Sequence, residues 1–438
     1  MPMTRHHALN TVVRLGAGLL LLTPCPTAGA QAPHDSAGRT ALVGVTVFDG
    51  TGRPVRLNQT VLIEGERIAA IFPRGSRPLP AEATIYDLTG RYLIPGLIDT
   101  HVHIATDPSG EDSRARTERR LHGALLGGVT AVRDMAGDVR ALASLQRDAL
   151  LGEIPSPDIY YAALFAGPAF FDDPRTHDAA RGLVPGQVPW MRAITDTTDI
   201  HQVVAEARGT GATAIKLYAA LGGELTRRIT TEAHAQGLLV WAHAALRPAR
   251  PIDVVEAGVD AVSHASLVAL AMDSARRETA LHAPASQSLD LADAGLDTLF
   301  AAMVRRHTVF EPTLLVFADR PPLLRLAGAI AKAAHRRGVT IIAGTDTLAE
   351  VRPDSIAFPN LHRELELLVT LAGVSPAEAL ESATRDAAAV LGAERVRGTI
   401  EVGKLADLVV LRSDPLRDIR NTRGIQLVMK RGRVYRRR

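Results

Sequence analysis

The sequence predicts an α/β fold, a closed (β/α)8 TIM barrel joined to a small composite β-sandwich that draws on both ends of the chain. Three observations carry this. Between residues 92 and 396, eight apolar stretches of strand length alternate with helical segments, the count and order of a closed barrel. Histidine, lysine and aspartate recur at the ends of these stretches, and C-terminal strand ends are where such barrels carry their sites. β-rich segments at 40–91 and 397–438 flank the alternating middle.

In chain order, residues 1–30 read as a secretory signal. Arg5 and Arg14 give a positive start, Leu15 to Leu22 a short apolar core, and Ala28-Gly29-Ala30 a small-x-small pattern before Gln31. That core is too short to remain as a membrane span. The expected product is periplasmic or secreted, with no membrane anchor after cleavage. The flanking domain begins with strands at Ala41–Phe48, Gln59–Glu64 and Arg67–Phe72, separated by Asp49-Gly50 and Glu64-Gly65. Ala406–Leu411, Ile425–Met429 and, past a hairpin turn at 430–433, Val434-Tyr435 complete it.

The barrel strands are expected to end at His101-Val102-His103, Val129–Asp134, Asp158–Ala162 and Ala214–Tyr218. Leu238–His243, Ala261–His264, Thr308–Glu311 and Thr340–Asp346 make up the other four. Two stretches interrupt the alternation. Phe165–Thr198, which holds His177 and several Pro and Gly residues, reads as a long loop on the catalytic face, a substrate wall or lid. Arg276–Asp290 is polar and alanine-rich.

Hydrophobic content of 46% and charge of 22% are globular values. The formal net charge is +3, and beyond residue 30 there are 48 Lys and Arg against 47 Asp and Glu. No basic block suits a nucleic-acid partner, and Arg436-Arg437-Arg438 reads as a solvated tail. The expected partner is a small-molecule substrate, and homo-oligomerisation stays open. Cys25, the only cysteine, falls in the signal, which removes disulfides, thiolate metal sites and a cysteine nucleophile from the mature chain. Any metal must be held by nitrogen and oxygen.

Leu93–His103 is the stretch the rest answers to. Residues i and i+2 on a strand point the same way, so His101 and His103 can reach one point together. His243, His264 and Asp346 sit at later strand ends, and the set gains its force from that shared position. Most of the 15 histidines must be something else: His122, His201, His234, His307 and His335 lie in or beside helical segments. Lys216, inside the apolar run Ala214–Leu217, is the unusual member. It is either a protonated partner of Asp346 or an amine depressed by burial that takes up CO2 to form an anionic carbamate able to bridge two cations.

Pro95-Gly96-Leu97-Ile98-Asp99-x-His-x-His, Ile215-Lys216, Ala242-His243-Ala244, Ser263-His264-Ala265 and Ala343-Gly344-Thr345-Asp346 together resemble the amidohydrolase superfamily. So do His362-Arg363-Glu364-Leu365-Glu366, Ser382–Gly392 and Gly398–Leu408. The resemblance runs from about Ala41 to the C-terminus and is strongest to the branch of metal-dependent Xaa-Pro dipeptidases, related carboxypeptidases and imidazolonepropionase-like proteins. It implies two divalent ions, with zinc expected from the nitrogen-rich donors. One would take His101, His103 and Asp346, the other His243 and His264, with carboxylated Lys216 and a hydroxide between them. One departure stands out. Where many dipeptidase relatives have Gly-Gly-His in the loop after strand three, this chain has Phe170–His177.

The function expected is therefore metal-assisted hydrolysis of an amide bond, of dipeptide or N-acyl amino acid type, in an exported enzyme. Asp346 would carry the proton from water to the leaving amine. Tyr218, two residues past Lys216, would either hydrogen-bond the substrate or form the wall. A lactonase or cyclic-amide hydrolase on the same site is the nearest alternative. A mononuclear deaminase leaves Lys216 without a role, and a non-catalytic exported binding protein leaves the six ligands without one.

Overall fold

The computed structural model describes residues 38–105, 113–284, 289, 291–348 and 358–436. The expected signal at 1–30, with Cys25, lies outside these residues, as do 285–288, 290 and the last two arginines.

Five strands open the chain: β1 (Arg39–Val47), β2 (Arg56–Glu64), β3 (Arg67–Pro73), β4 (Thr84–Asp87) and β5 (Tyr92–Pro95). β6 (Leu97–Val102), β7 (Val129–Asp134), β8 (Asp158–Ala166), β9 (Gln187–Val188) and β10 (Met191–Ala193) follow. Then come β11 (Ala214–Leu217), β12 (Leu239–His243), β13 (Ala261–Ser263) and β14 (Val309–Glu311). β15 (Leu408–Leu411), β16 (Ile425–Lys430) and β17 (Arg433–Tyr435) close the chain.

The two ends of the chain meet in one eight-stranded sheet ordered β17-β16-β15-β5-β1-β2-β3, with β4 beside β1. The join is antiparallel, Leu408 of β15 opposite Pro95 of β5. Alternating apolar residues of both ends, Leu42, Val45, Ile63, Leu93, Leu408, Val410 and Met429 among them, make a core of its own. The expected hairpin turn is present. Arg431 (φ 48°) and Gly432 (φ 74°) are both left-handed, as a two-residue turn between right-twisted strands requires.

β6, β7, β8, β11, β12, β13 and β14 pair in parallel, each with the next. The eighth segment, 340–346, closes the barrel with few ladder bonds. Phe310 N–H donates to Thr340 O and Ile342 N–H to Phe310 O, both 2.9 Å. On the far side Thr100 N–H donates to Ala343 O (3.2 Å) and Asp346 N–H to His101 O (2.8 Å). The interior is layered by strand alternation. Ile98, Ala131, Ala162, Ala214, Trp241, Ala261 and Ile342 form an apolar layer packed on the helix Arg385–Val390. Two residues on, toward the C-terminal ends, the layer turns polar and includes Thr100, Arg133, Lys216, Ser263 and Glu311, each fully buried.

The stretch after β8 is not the open loop expected at 165–198. β8 runs to Ala166, four residues past the Ala162 end read from sequence. A 3-10 turn (Pro168–Asp172), a helix (Pro174–Ala180) and the hairpin β9–β10 follow, and Met191 pairs with Leu164 of β8. The Pro and Gly residues punctuate these short elements. Buried Trp190, whose indole N–H donates to Ala179 O at 3.0 Å, ties them together. Arg276–Asp290 likewise begins as a helix, Ser274–His282.

At the N-terminal end of the barrel, a buried ion network joins the two sheets. Asp158, the first residue of β8, meets Lys430 Nζ at 2.7 Å, Arg431 Nη2 at 2.9 Å and Arg397 Nη2. Arg397 also reaches Asp407 at 3.5 Å. Asp158 is held well below the usual carboxylate range: burial opposes ionisation, and the three cations outweigh it. Replacing it leaves those cations facing one another in a low dielectric. Asp158→Ala should lower unfolding stability by about 3–5 kcal/mol in urea titrations at pH 7. The difference should shrink as pH falls below the ordinary aspartate range, because wild type then progressively loses the same interaction. An unchanged urea midpoint would remove the network from any role in joining the sheets.

Candidate metal centre

The constellation read from the strand ends comes together at the C-terminal mouth of the barrel. One nitrogen each from His101 and His103 and one oxygen of Asp346 lie within 4.8 Å of one another. Asp346 Oδ1 is 3.3 Å from His101 Nε2 and 3.1 Å from His103 Nε2. The His264 ring centroid is 5.0 Å from that of His101 and 4.8 Å from that of His243. Lys216 lies fully buried on β11 below this group.

His101 arrives there by a route that simple alternation misses. Ile98 belongs to the interior layer, whereas Val102 packs with the outer core. The parity changes because the β6–β7 register shifts between Asp99 and Val102. Irregularities of this kind re-aim side chains next to active sites. Thr100 and His101 consequently both reach Glu311. Asp99 stabilises the turn, accepting from His101 N–H (3.2 Å), Thr345 N–H (3.1 Å) and Thr345 Oγ1 (2.8 Å). It thereby fixes the residue before Asp346.

Glu311, at the end of β14, was only a strand end in the sequence; in the fold it is central. Its carboxylate accepts from Ser263 Oγ at 2.8 Å and Arg133 Nη2 at 2.8 Å, bonds Thr100 Oγ1, and lies 2.6 Å from His101 Nδ1. A carboxylate on Nδ1 holds the proton there and turns Nε2 toward Asp346. Burial opposes the charge of Glu311, yet Arg133 and His101 hold it well below the usual carboxylate range. Gly344 makes room: a Cβ there would stand 2.3 Å from Glu311 Oε1 and 2.8 Å from His101 Cβ.

Burial disfavours the charged form of the other two imidazoles. Burial pushes His264 down to about 3 and holds His243 well below its ordinary value, helped by the Lys216 and histidine charges around it. Thr313, the second residue that sequence reasoning missed, lies 2.9 Å from His264 Nδ1. Asp346 stays well below the carboxylate range, since His101 and His103 outweigh the effect of burial.

Lys216 Nζ has no hydrogen-bond partner among the described residues. The ion pair with Asp346 weighed from sequence is not formed. Burial pushes this amine down to about 7, with Arg133 adding to the fall and Glu311 opposing it. A buried amine lowered in this way gives up its proton more readily than an ordinary lysine. The donor set is imidazole and carboxylate only, which suits a divalent first-row metal.

The wall comes from the rebuilt segment after β8. The Tyr218 ring lies tilted 4.1 Å from the His243 ring, and Phe170 lies 4.5 Å from Tyr218. The Arg175 guanidinium lies 5.9 Å from the Tyr218 ring and is clamped by Asp173 through Nε (3.0 Å) and Nη2 (2.6 Å). His177 is exposed and does not join the cluster.

The comparisons with known proteins agree with this geometry. The chain is 28% identical over 402 residues to an imidazolonepropionase of Hyphomonas neptunium, covering 83% of this chain and 90% of that one. It is 25% identical over 456 residues to an ochratoxinase of Aspergillus niger, covering 92% and 88%. In fold it superposes on a Xaa-Pro dipeptidase with bound methionine at a TM-score of 0.71, with 22% identity over 91% of this chain and 100% of the other. The pattern of the amidohydrolase family matches residues 92–435, from the start of β5 to the end of β17. A match over that span takes in the whole barrel and the returning strands, and the chain belongs to the amidohydrolase family.

Proposed function

We propose that the mature protein is an exported, binuclear metal-dependent hydrolase that cleaves an amide bond in a small molecule. Membership of the family makes it a hydrolase of carbon–nitrogen bonds. The finer reading rests on one observation: the convergence of His101, His103 and Asp346 within 4.8 Å, beside two neutral histidines and an unpartnered buried lysine. His101, His103 and Asp346 would hold one divalent ion, zinc by the donor set, and His243 and His264 the second, with carboxylated Lys216 between. Bound there, the ions supply Lewis-acid activation of water and of the scissile carbonyl.

The chain's own residues do the rest. Asp346, ionised and aimed into the cluster, accepts the proton of the attacking water. It returns that proton to the amine nitrogen as the C–N bond breaks, so the acyl carbon gains OH and the amine gains H. Burial holds the Tyr218 phenol above its ordinary value, so at neutral pH it is a donor, placed to bind a substrate carbonyl or carboxylate. Phe170 and Tyr218 give that end of the site an aromatic wall. A cyclic amide would use the same machinery, and the 28% identity to an imidazolonepropionase supports that variant. Turnover of a panel of linear and cyclic amides and of lactones separates the possibilities.

Purified protein should carry about two divalent ions per chain, measured by elemental analysis, and His243→Ala should lose one of them. A single ion, unchanged in that variant, rules out two centres.

Lys216→Ala should lose at least about tenfold in metal affinity and most of the activity, since a bridging anion goes with it. Added acetate should restore part of both. Tolerance of Lys216→Arg, or crystallographic density for a bare ammonium in metallated active enzyme, would refute the carbamate.

Export is testable by N-terminal sequencing. The mature chain should begin near Gln31 in periplasm or medium, and intact Met1 on active cytoplasmic enzyme would sink the idea.

A further inference from the structure

Glu364 is fully buried on the helix Leu361–Leu367, beyond the last of the barrel strand ends, and the mechanism gives it no part. Its two oxygens accept from Leu314 N–H at 2.9 Å and Leu315 N–H at 2.7 Å. Those are the first N–H groups of the 3-10 turn Leu314–Phe317, which has no partner within its own turn for them. A carboxylate from another element thus caps this turn.

The residue just ahead of the turn is Thr313, buried and left-handed at φ 48°, ψ 54°. A β-branched residue holds that conformation only where its surroundings fix it. Its hydroxyl has one proton, and that proton goes to Pro312 O at 2.8 Å. Toward His264 Nδ1, 2.9 Å away, the same oxygen can then only accept. With the hydroxyl proton on Pro312 O, His264 carries its hydrogen on Nδ1, which leaves the Nε2 lone pair free. The backbone around it is tied to the same loop, His264 N–H donating to Glu311 O at 2.9 Å and Ala265 N–H to Pro312 O at 3.1 Å.

We propose that Glu364 is a positioning residue for the second cation: by capping Leu314 and Leu315 it locks Thr313, and Thr313 locks His264 as the Nδ1–H tautomer with Nε2 presented for ligation. This rests on the two-centre reading above and deepens it. It gives His264 an orienting partner on Nδ1 that matches what Glu311 does for His101. The two partners differ in kind, a carboxylate for one histidine and a hydroxyl for the other.

The test uses the full mature chain, Glu364→Gln and Thr313→Val, with Thr313→Ser as the variant that keeps the hydroxyl. Circular dichroism establishes folding, and Glu364→Asp, which keeps an acceptor but shortens its reach, replaces Glu364→Gln if the latter does not fold. Nitrogen-15 NMR of metal-free protein reads the His264 tautomer directly. Wild type and Thr313→Ser should show Nδ1–H, and the other variants a mixture. Zinc titration should show the weaker of two sites falling by about 10- to 100-fold in both variants, with the stronger site unmoved. A wild-type tautomer and zinc affinity in the folded Glu364 variant, whatever Thr313→Val does, overturn the proposal. A wild-type chain that binds one zinc ion overturns the two-centre reading instead, and the tautomer measurement still decides the role of Glu364.

Discussion

Glu311 is the group on which the arrangement of the barrel mouth depends. It is a carboxylate with no exposed surface, and an isolated charge there would cost several kcal/mol. It is tolerable only because Arg133, Thr100, Ser263 and His101 converge on it from β7, β6 and β13. The dependence runs both ways. Arg133, equally buried, has its charge answered by Glu311 and its face stacked 4.4 Å from Trp241. One acid therefore sets three strands at fixed relative height and fixes the orientation of His101. Gly344 completes the arrangement, because any side chain there would occupy the space of the carboxylate.

This also explains what was legible in the sequence. The barrel and the polar residues at its mouth could be read because apolar strands with polar ends have a period and a position, and both survive in one dimension. His101, His103, Lys216, His243, His264 and Asp346 lie where that reading put them. Glu311 closes a three-residue strand and looks like any acid after an apolar pair. Its meaning lies in contacts 48 to 211 residues away along the chain. Thr313 and Glu364 are hidden for the same reason, since their roles run through backbone N–H groups that no side-chain pattern records. The segment after β8 misled differently. Its Pro and Gly residues marked real turns, but they were read as one loop when they separate a helix and a hairpin.

The rebuilt segment bears on specificity. Arg175 would be a free cation over the site if its guanidinium faced outward, yet Asp173 holds it through Nε and Nη2 and neutralises it locally. What faces the Tyr218 side of the site is then chiefly aromatic surface, Phe170 over Tyr218. A wall of that kind gains most from a flat or apolar substituent, since each aromatic contact contributes about 0.5–1.5 kcal/mol beyond simple burial.

The site also holds strained backbone. His264, Thr313 and Asp346 are all left-handed, at φ 75°, 48° and 58°, and none is glycine. Each such residue costs on the order of 1–3 kcal/mol, so the mouth of the barrel is a local deficit. The compensation is visible around each one. Asp346 N–H is bonded to His101 O, and the preceding Thr345 is held by Asp99 through two bonds. His264 N–H is bonded to Glu311 O, and Thr313 sits between its own hydroxyl bond and the capped turn. At Asp346 and Thr313 the strain is opposed through a buried carboxyl group, Asp99 in one case and Glu364 in the other, whereas His264 is held by the backbone carbonyl of Glu311. Burial pushes Asp99 up to about 7 and Glu364 up to about 8, while Arg133 and His101 hold Glu311 well below the usual carboxylate range against its own burial. The three acids divide the work accordingly. Asp99 and Glu364 use both carboxyl oxygens as acceptors that hold neighbouring backbone, and Glu311 sets its charge against that of Arg133.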